Sequence, residues 1–436
     1  MSDMNCFVSA MDISIHPMLK VKPKIRIPYF RVLSAFVLQI SPNDKILEQR
    51  LKVYEKNFFN CCKKIPVQKS LEDDIFAVLE KSGFRPWRRK YRFMLLLDIA
   101  FLLLDERKII MAYEMICHHL NKKKYEKLVD FKDSLLKDTS IDPAFGCPVK
   151  LFEQYCINRD FLRKVQKNYI VTANMSSGKS TLINALIGKQ ITRTSQEACT
   201  ANIGYIYNKP FDDGTANIIT DHIELYTDEK KLKNIGFDYP SFISLNWQLL
   251  CDEKVRVCFI DTPGVNNSIS REHIAITRRT IKNEKYDKLI YVLDINRLGT
   301  DEEIRHLKWL ADNVPIEKII FVLNKIDNCR SSEDDIKKSI ENLKCELSEL
   351  GFKEAAVCPV SAYAALLAKI KKSGITLSDD DAEDYDVMKR KFNRPYYDLT
   401  AYYSDPPFTE DEEPEQRLLQ KCGFYGLEKI LFGGTK

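Results

Sequence analysis

Residues 169–181 read Tyr-Ile-Val-Thr-Ala-Asn-Met-Ser-Ser-Gly-Lys-Ser-Thr, an apolar strand-like run that passes straight into a glycine–lysine–serine turn. From Ala173 to Ser180 the spacing is A-x-x-x-x-G-K-S, the pattern of a phosphate-binding loop set between a strand and a helix. Each part has a chemical task. Asn174, Met175, Ser176 and Ser177 supply backbone amides that face an anion, and Gly178 lets that backbone turn inward. Lys179 is placed to reach β- and γ-phosphates, and the Ser180 hydroxyl to ligate Mg²⁺. Thr181 opens a helix whose N-terminal dipole favours the same anion. Ala173 stands where the pattern usually has its first glycine, a small departure in volume.

Three further motifs follow in the order a guanine-nucleotide site requires. Asp261-Thr262-Pro263-Gly264 comes after the apolar run 255–260. There Asp261 is the carboxylate expected beside Mg²⁺, and the Gly264 amide can sense a γ-phosphate. Asn324-Lys325-Ile326-Asp327 follows a second apolar run, Ile319 to Leu323. An Asp327 carboxylate can accept from guanine N1–H and its 2-amino group together, a pairing that adenine cannot supply. Lys325 would lie along the base, and backbone amides at Ser361-Ala362 would meet the guanine carbonyl oxygen. Thr200, in Glu197-Ala198-Cys199-Thr200-Ala201, is the candidate switch threonine that completes the Mg²⁺ shell, with Thr192 and Thr194 nearby. The set predicts GTP/GDP and Mg²⁺ as ligands, with Lys179, Ser176 and Thr200 as candidate catalytic groups.

Around this site the pattern alternates strand and helix, as a mostly parallel sheet with crossover helices requires. Strands are expected at 169–173, 255–260, 288–294, 318–323 and 356–360, and helices at 179–187, 270–284, 301–313, 332–350 and 361–372. Their continuous Val/Ile/Leu/Phe content suits strands covered on both faces. The acidic stretches 378–386 and 409–415 read as exposed loops in an insertion, and 423–431 as a closing helix. Before the site, residues 1–43 read as an arm: the alternation from Lys20 to Ile27 has strand character, but Pro23 and Pro28 keep it at an edge. Residues 44–148 read as a helical domain and 149–436 as the nucleotide domain. The fold class is therefore α/β, a phosphate-loop GTPase domain preceded by an α-helical N-terminal domain.

The bulk numbers describe an ordinary soluble composition: 436 residues, 44% hydrophobic and 30% charged. Net charge is +5, but residues 1–150 hold 27 Lys+Arg against 18 Asp+Glu, which is +9, so the remainder carries −4. A basic N-terminal part suits an anionic membrane surface or nucleic acid, or is simply a solvated face. Thirteen scattered cysteines without a C-x-x-C pair read as reduced thiols in a cytoplasmic protein. The apolar run 93–104 is interrupted by Asp98 and is shorter than the ~20 residues of a membrane span, so it reads as a buried helix. Just before it, Arg85, Trp87, Arg88, Arg89, Lys90 and Arg92 form a basic cluster that could face lipid headgroups or cap a helical core.

The run Met175 to Gly188, with Glu197 to Ala201, resembles the dynamin family, bacterial members above all. The resemblance spans roughly residues 150–436, and the 61 residues from Thr200 to Asp261 suit a large GTPase rather than a small one. It implies GTP hydrolysis, self-association through paired G domains, and peripheral membrane association. Two departures bear on this. Met175 stands where eukaryotic members commonly have a water-orienting glutamine, and Val265 stands where Ras-like enzymes keep theirs. A thioether cannot orient water, so Ser176, Ser177, backbone groups or a residue supplied in trans must do so. Family members also continue into long stalk helices, for which only 44–167 is available here. An RNA- or ribosome-associated switch is the alternative, weakened by the lack of an aromatic-interleaved RNA motif. A GTP-binding scaffold with negligible hydrolysis is the third reading.

Overall fold

The computed structural model describes residues 2–59, 70–80, 90–120, 126–137, 145–146, 148–174, 176–191, 203–229, 232, 241–250, 255–264, 271–404 and 413–433. They form two compact units: Met1–Val165 with Lys209–Thr227, and Gln166–Asn208 with Asp228–Lys436.

The first unit is helical: α1 (Ser2–Val8), α2 (Pro23–Ile40), α3 (Lys45–Phe59), α4 (Leu71–Ile75), α5 (Lys90–Leu103), α6 (Glu106–His118), α7 (Glu126–Lys137) and α8 (Val149–Arg163). The edge-strand reading of residues 20–27 is overturned, because α2 begins at Pro23. Proline is tolerated in a first turn, where its missing N–H has no intrahelical partner. From Tyr29 onward the buried positions Tyr29, Val32, Leu33, Phe36, Val37 and Ile40 recur at helical spacing, and that period prevails over the short polar alternation. Helix α5 is the hub, buried at nearly every position as expected. Its Asp98 is a buried carboxylate that must be satisfied internally. It accepts from His16 Nε2 at 3.0 Å and from the hydroxyls of Tyr29 and Tyr54. Arg50, also fully buried, donates to the carbonyls of Cys6 and Phe101 at 2.8 and 2.9 Å.

Residues 209–227, far along the chain, complete this unit. Lys209 pairs with Asp213 at 3.1 Å, Asp213 Oδ2 accepts the Met11 amide at 2.9 Å, and Asn217 Nδ2 donates to the Phe7 carbonyl at 2.6 Å.

The second unit is built on β1 (Gln166–Ala173), β2 (Gly204–Lys209), β5 (Ser241–Asn246), β6 (Arg256–Asp261), β7 (Lys288–Asp294), β8 (Ile319–Asn324) and β9 (Ala356–Pro359), while β3 (Thr215–Ile219) and most of β4 (Ile223–Asp228) belong to residues 209–227. The order in this unit is β5-β2-β6-β1-β7-β8-β9. All neighbouring pairs from β6 to β9 are parallel, and β2 runs antiparallel to β6. The helices are α9 (Lys179–Ile187), α10 (Arg271–Asn283), α11 (Asp301–Asn313), α12 (Ile336–Glu349), α13 (Ala362–Lys372), α14 (Asp379–Phe392), α15 (Pro414–Lys421) and α16 (Phe424–Phe432).

Register positions the site. Val171 lies opposite both Asp261 and Ile290, and Asp294 opposite Asn324. The carboxyl ends of β1, β6, β7 and β8 therefore release their loops at one edge, where parallel α/β sheets bind ligands. One expected loop is a helix: Ser378 caps α14 by accepting the Asp381 amide at 3.2 Å, and Asp379, Asp380 and Asp381 complement its N-terminal dipole. Cys258 and Cys358 are buried free thiols.

Candidate nucleotide site

The phosphate loop is shaped by its backbone. Gly178 has φ +88°, and a Cβ there would lie 2.4 Å from Asn324 Nδ2, so only glycine fits. Ser176 also has positive φ, at 65°. Ser177 Oγ closes the turn on the Asn174 carbonyl at 2.8 Å, and α9, carrying Lys179, Ser180 and Thr181, starts immediately after.

Lys179 is buried and pairs directly with Asp261 Oδ1. The other carboxylate oxygen, Oδ2, is buried without a hydrogen-bond partner. Burial pushes the Asp261 carboxyl up, and the Lys179 charge pulls it back. An orphaned anionic oxygen at the end of β6 is a fit for Mg²⁺, which takes oxygen ligands from one or two carboxylates plus substrate phosphates. Thr262 fixes the strand end: its N–H and Oγ1 both donate to the Val171 carbonyl, at 3.2 and 2.9 Å. Gly264 follows in the same loop.

The guanine motif is wired to the phosphate loop. Asn324 Nδ2 donates to the Ser177 carbonyl at 3.1 Å, and its Oδ1 accepts the Ala362 amide at 3.0 Å. Lys325, with φ 66°, donates from Nζ to the Ser176 carbonyl and pairs with Asp294 at 2.8 Å. Ser361 Oγ donates to Asp327 Oδ1 at 2.5 Å and caps α13 by accepting the Ala364 amide at 3.2 Å. The Ser361 amide donates to the Cys422 carbonyl at 3.0 Å. Both amides expected to meet the guanine oxygen are thus engaged within the protein.

Asn174, Ser176, Ser177, Gly178, Lys179, Ser180, Thr181, Asp261, Gly264, Asn324, Lys325, Asp327, Ser361 and Ala362 all belong to the second unit, on loops or helix starts beside the ends of β1, β6, β8 and β9. Met175, Thr200 and Val265 lie outside the described residues. Sequence reading missed two groups. Asp294 ends an apolar strand as Asp261 does, so the signal was available. Lys391 gave none: it reaches across 64 positions from α14 to the Asp327 carbonyl, and to the Cys329 carbonyl at 3.1 Å.

Residues 170–326 match the model of the dynamin family. This stretch of the chain is similar to the dynamin family. An uncharacterized protein in the xynA 3′ region of Caldicellulosiruptor sp. (strain Rt8B.4) is 29% identical over 52% of this chain and 58% of its own length. A probable transmembrane GTPase, FZO-like and chloroplastic, of Arabidopsis thaliana is 25% identical over 59% and 26%. Dynamin-like protein A of Bacillus subtilis (strain 168) is 24% identical over 45% and 18%. The chain therefore spans little more than half of one such relative and about a quarter or less of the other two. Among its described residues no helix is long and apolar enough to cross a membrane.

A cavity of about 380 Å³ adjoins the phosphate loop, lined by Asn174, Ser177, Asp294, Arg297, Thr300 and Glu303 among others. Burial raises the Glu303 carboxyl to about 7, against the Gly299 amide that lowers it, with Glu346 and Asp294 adding to the rise. A carboxyl whose folded pKa exceeds its unfolded value holds its proton longer in the folded chain, so stability falls as pH rises from about 4.5 to about 7. Glu303→Gln keeps an acceptor for Gly299 and removes that loss. The variant should exceed the wild type by at most about 3 kcal/mol at pH 8 and match it near pH 4 in urea midpoints. A constant offset across pH would refute the assignment.

Proposed function

We propose that this chain binds GTP with Mg²⁺, hydrolyses it to GDP and phosphate, and turns over faster on self-association. The observation that carries this is the Asn324 bridge, which holds the phosphate loop at Ser177 and the guanine motif at Ala362 in one frame. A polyphosphate attached to guanine is the ligand that needs both ends at fixed separation.

Lys179, now on Asp261, moves its charge to the β- and γ-phosphates, and Asp261 is left free to face the metal. Ser180, Asp261 and, we infer, Thr200 would hold Mg²⁺, which would supply charge neutralisation at the phosphates. Lys325 and Asp294 brace the loop from behind. Asp327, steadied by Ser361, accepts from the base. Asn174 and Ser177 line the 380 Å³ cavity and, with Ser176 between them in the chain, are the local groups proposed to orient water. None of them is a base.

Without a glutamine at 175 or 265, basal turnover is slow, and a second copy supplies what one lacks. Anionic membrane is the surface proposed to concentrate the chain. Within the basic cluster Arg92 is not available to lipid, because it is buried with Nε on the Leu79 carbonyl at 2.5 Å. Arg85, Trp87, Arg88 and Arg89 lie outside the described residues. GTP turnover per mole should rise at least severalfold as protein concentration is raised about a hundredfold, and further with phosphatidylserine liposomes. Flat specific activity would remove self-association, and turnover indifferent to liposomes would remove the membrane.

A further inference from the structure

The loop that carries Asp327 is gripped from outside by one short stretch of chain. Asp327 sits in a single 3₁₀ turn, Ile326–Asn328, closed by the Asn328 amide on the Lys325 carbonyl at 2.9 Å and the Cys329 amide on the Ile326 carbonyl at 3.2 Å. So short a turn is weakly held by its own hydrogen bonds. Residues 391–397, the end of α14 and the turn after it, add to them. Lys391 Nζ donates to the Asp327 carbonyl and, at 3.1 Å, to the Cys329 carbonyl. The Tyr397 hydroxyl donates to the same Cys329 carbonyl at 2.8 Å, and the Tyr396 hydroxyl to the Asp334 carbonyl at 2.5 Å. A lysine in a last helical turn is ordinarily a solvated complement to the helix dipole. Lys391 instead bonds a distant segment, with its ammonium 4.6 Å from the centroid of the Tyr397 ring. The helix that delivers it is itself tied down: Tyr363 of α13 donates to Asp384 at 2.6 Å, and Tyr385 donates to Glu415 of α15 at 2.9 Å.

We propose that Lys391 is a positioning residue whose hold on the Asp327 peptide sets how long a guanine nucleotide stays bound. The Asp327 side chain is fixed at one end, where its Oδ1 accepts from Ser361 at 2.5 Å, and Lys391 fixes the other end at the backbone carbonyl. With both ends held, the carboxylate meets the guanine N1–H and 2-amino group without first being ordered. With the carbonyl released, the peptide plane can turn and the base itself must order the carboxylate. Bound nucleotide then leaves sooner. An ammonium on two carbonyls forms charge-assisted bonds, stronger than a neutral donor makes. The two grips are unequal. Tyr397 duplicates Lys391 at the Cys329 carbonyl, whereas the Asp327 carbonyl takes its side-chain bond from Lys391. This role rests on Asp327 being the guanine acceptor.

Stopped-flow release of labelled GDP from the full chain tests it. Lys391→Met, which keeps the apolar stem and removes the donor, should speed release about tenfold and leave association within about twofold of wild type. The same variant should speed release of labelled inosine diphosphate only about threefold. That base lacks the 2-amino group and draws on Asp327 through one bond rather than two. Lys391→Arg, with a fork of donors for the same two carbonyls, should fall between wild type and Lys391→Met. Should circular dichroism find Lys391→Met unfolded, Tyr397→Phe takes its place. It removes one hydroxyl and should speed GDP release about threefold, again more than inosine diphosphate release. GDP release within about twofold of wild type in Lys391→Met overturns the proposal. So does equal acceleration of both nucleotides, which a merely structural loss would give. No GDP binding by the wild type overturns the nucleotide reading and this role with it. GDP binding retained with release unchanged leaves that reading standing and removes Lys391 from it.

Discussion

Asp327→Asn is expected to lower GTP affinity by about 10⁴-fold and to let xanthosine triphosphate bind in its place. A carboxylate presents only acceptors, and guanine's N1–H and 2-amino group present only donors. An amide in that position turns one acceptor into a donor aimed at a donor, and a buried mispairing of this kind discriminates by about 10⁴–10⁵. Xanthine has a carbonyl where guanine has its amino group, so the same amide regains a partner there. The surroundings make the variant clean. Ser361 Oγ can still donate to the remaining oxygen, and Lys391 and Tyr397 hold this loop through the carbonyls of residues 327 and 329 rather than through the side chain. Fluorescence titration with labelled GTP, ATP and XTP reads the outcome. GTP affinity retained within tenfold would end the guanine reading, whatever happens to turnover.

What was legible in the chain was what depends on local chemistry. The strands beneath the site, β1, β6, β7, β8 and β9, are continuous apolar runs because helices cover them on both faces, and their ends differ from expectation by a few residues at most. The glycine, lysine and carboxylate positions follow from what phosphate and guanine require. The strands β2 to β5 were not read. Gly204-Tyr-Ile-Tyr-Asn-Lys carries no continuous apolar run, and short antiparallel strands leave weak periodicity. The placement of 209–227 in the helical unit was invisible for a different reason: Asn217 finds its partner 210 positions earlier, at the Phe7 carbonyl. Polar anchors at that separation leave no trace in spacing. The acidic run in α14 misled because aspartates suit loops and helix N-termini equally, and Ser378 at the cap is what distinguishes them.

Lys369→Met is expected to cost the second unit about 3–5 kcal/mol at pH 8, because it leaves Glu428 as a buried, unpaired charge. Both side chains are almost fully shielded and in direct contact. Burial already pushes the Glu428 carboxyl up, and the Lys369 charge is what restrains that rise. Without Lys369 the folded pKa climbs further above the unfolded 4.5, so the deficit should shrink as pH falls toward that value and the carboxyl protonates. Lys369→Met/Glu428→Gln should recover most of the loss, since glutamine can still accept the Leu250 amide that Glu428 Oε2 now accepts at 2.8 Å. The Leu186 carbonyl, which Lys369 also holds at 3.2 Å, stays unpaired and sets the remainder. That contact explains why the pair matters to the site. Leu186 lies in the last turn of the helix that Lys179 begins, Lys369 belongs to the helix that Ser361 caps, and Ser361 steadies Asp327. A single buried ion pair therefore locks the phosphate end of the site to its guanine end. Lys369→Met should loosen GDP at pH 8 and much less near pH 5, the double variant should restore it, and equal GDP affinity in all three proteins would show that the lock serves folding alone.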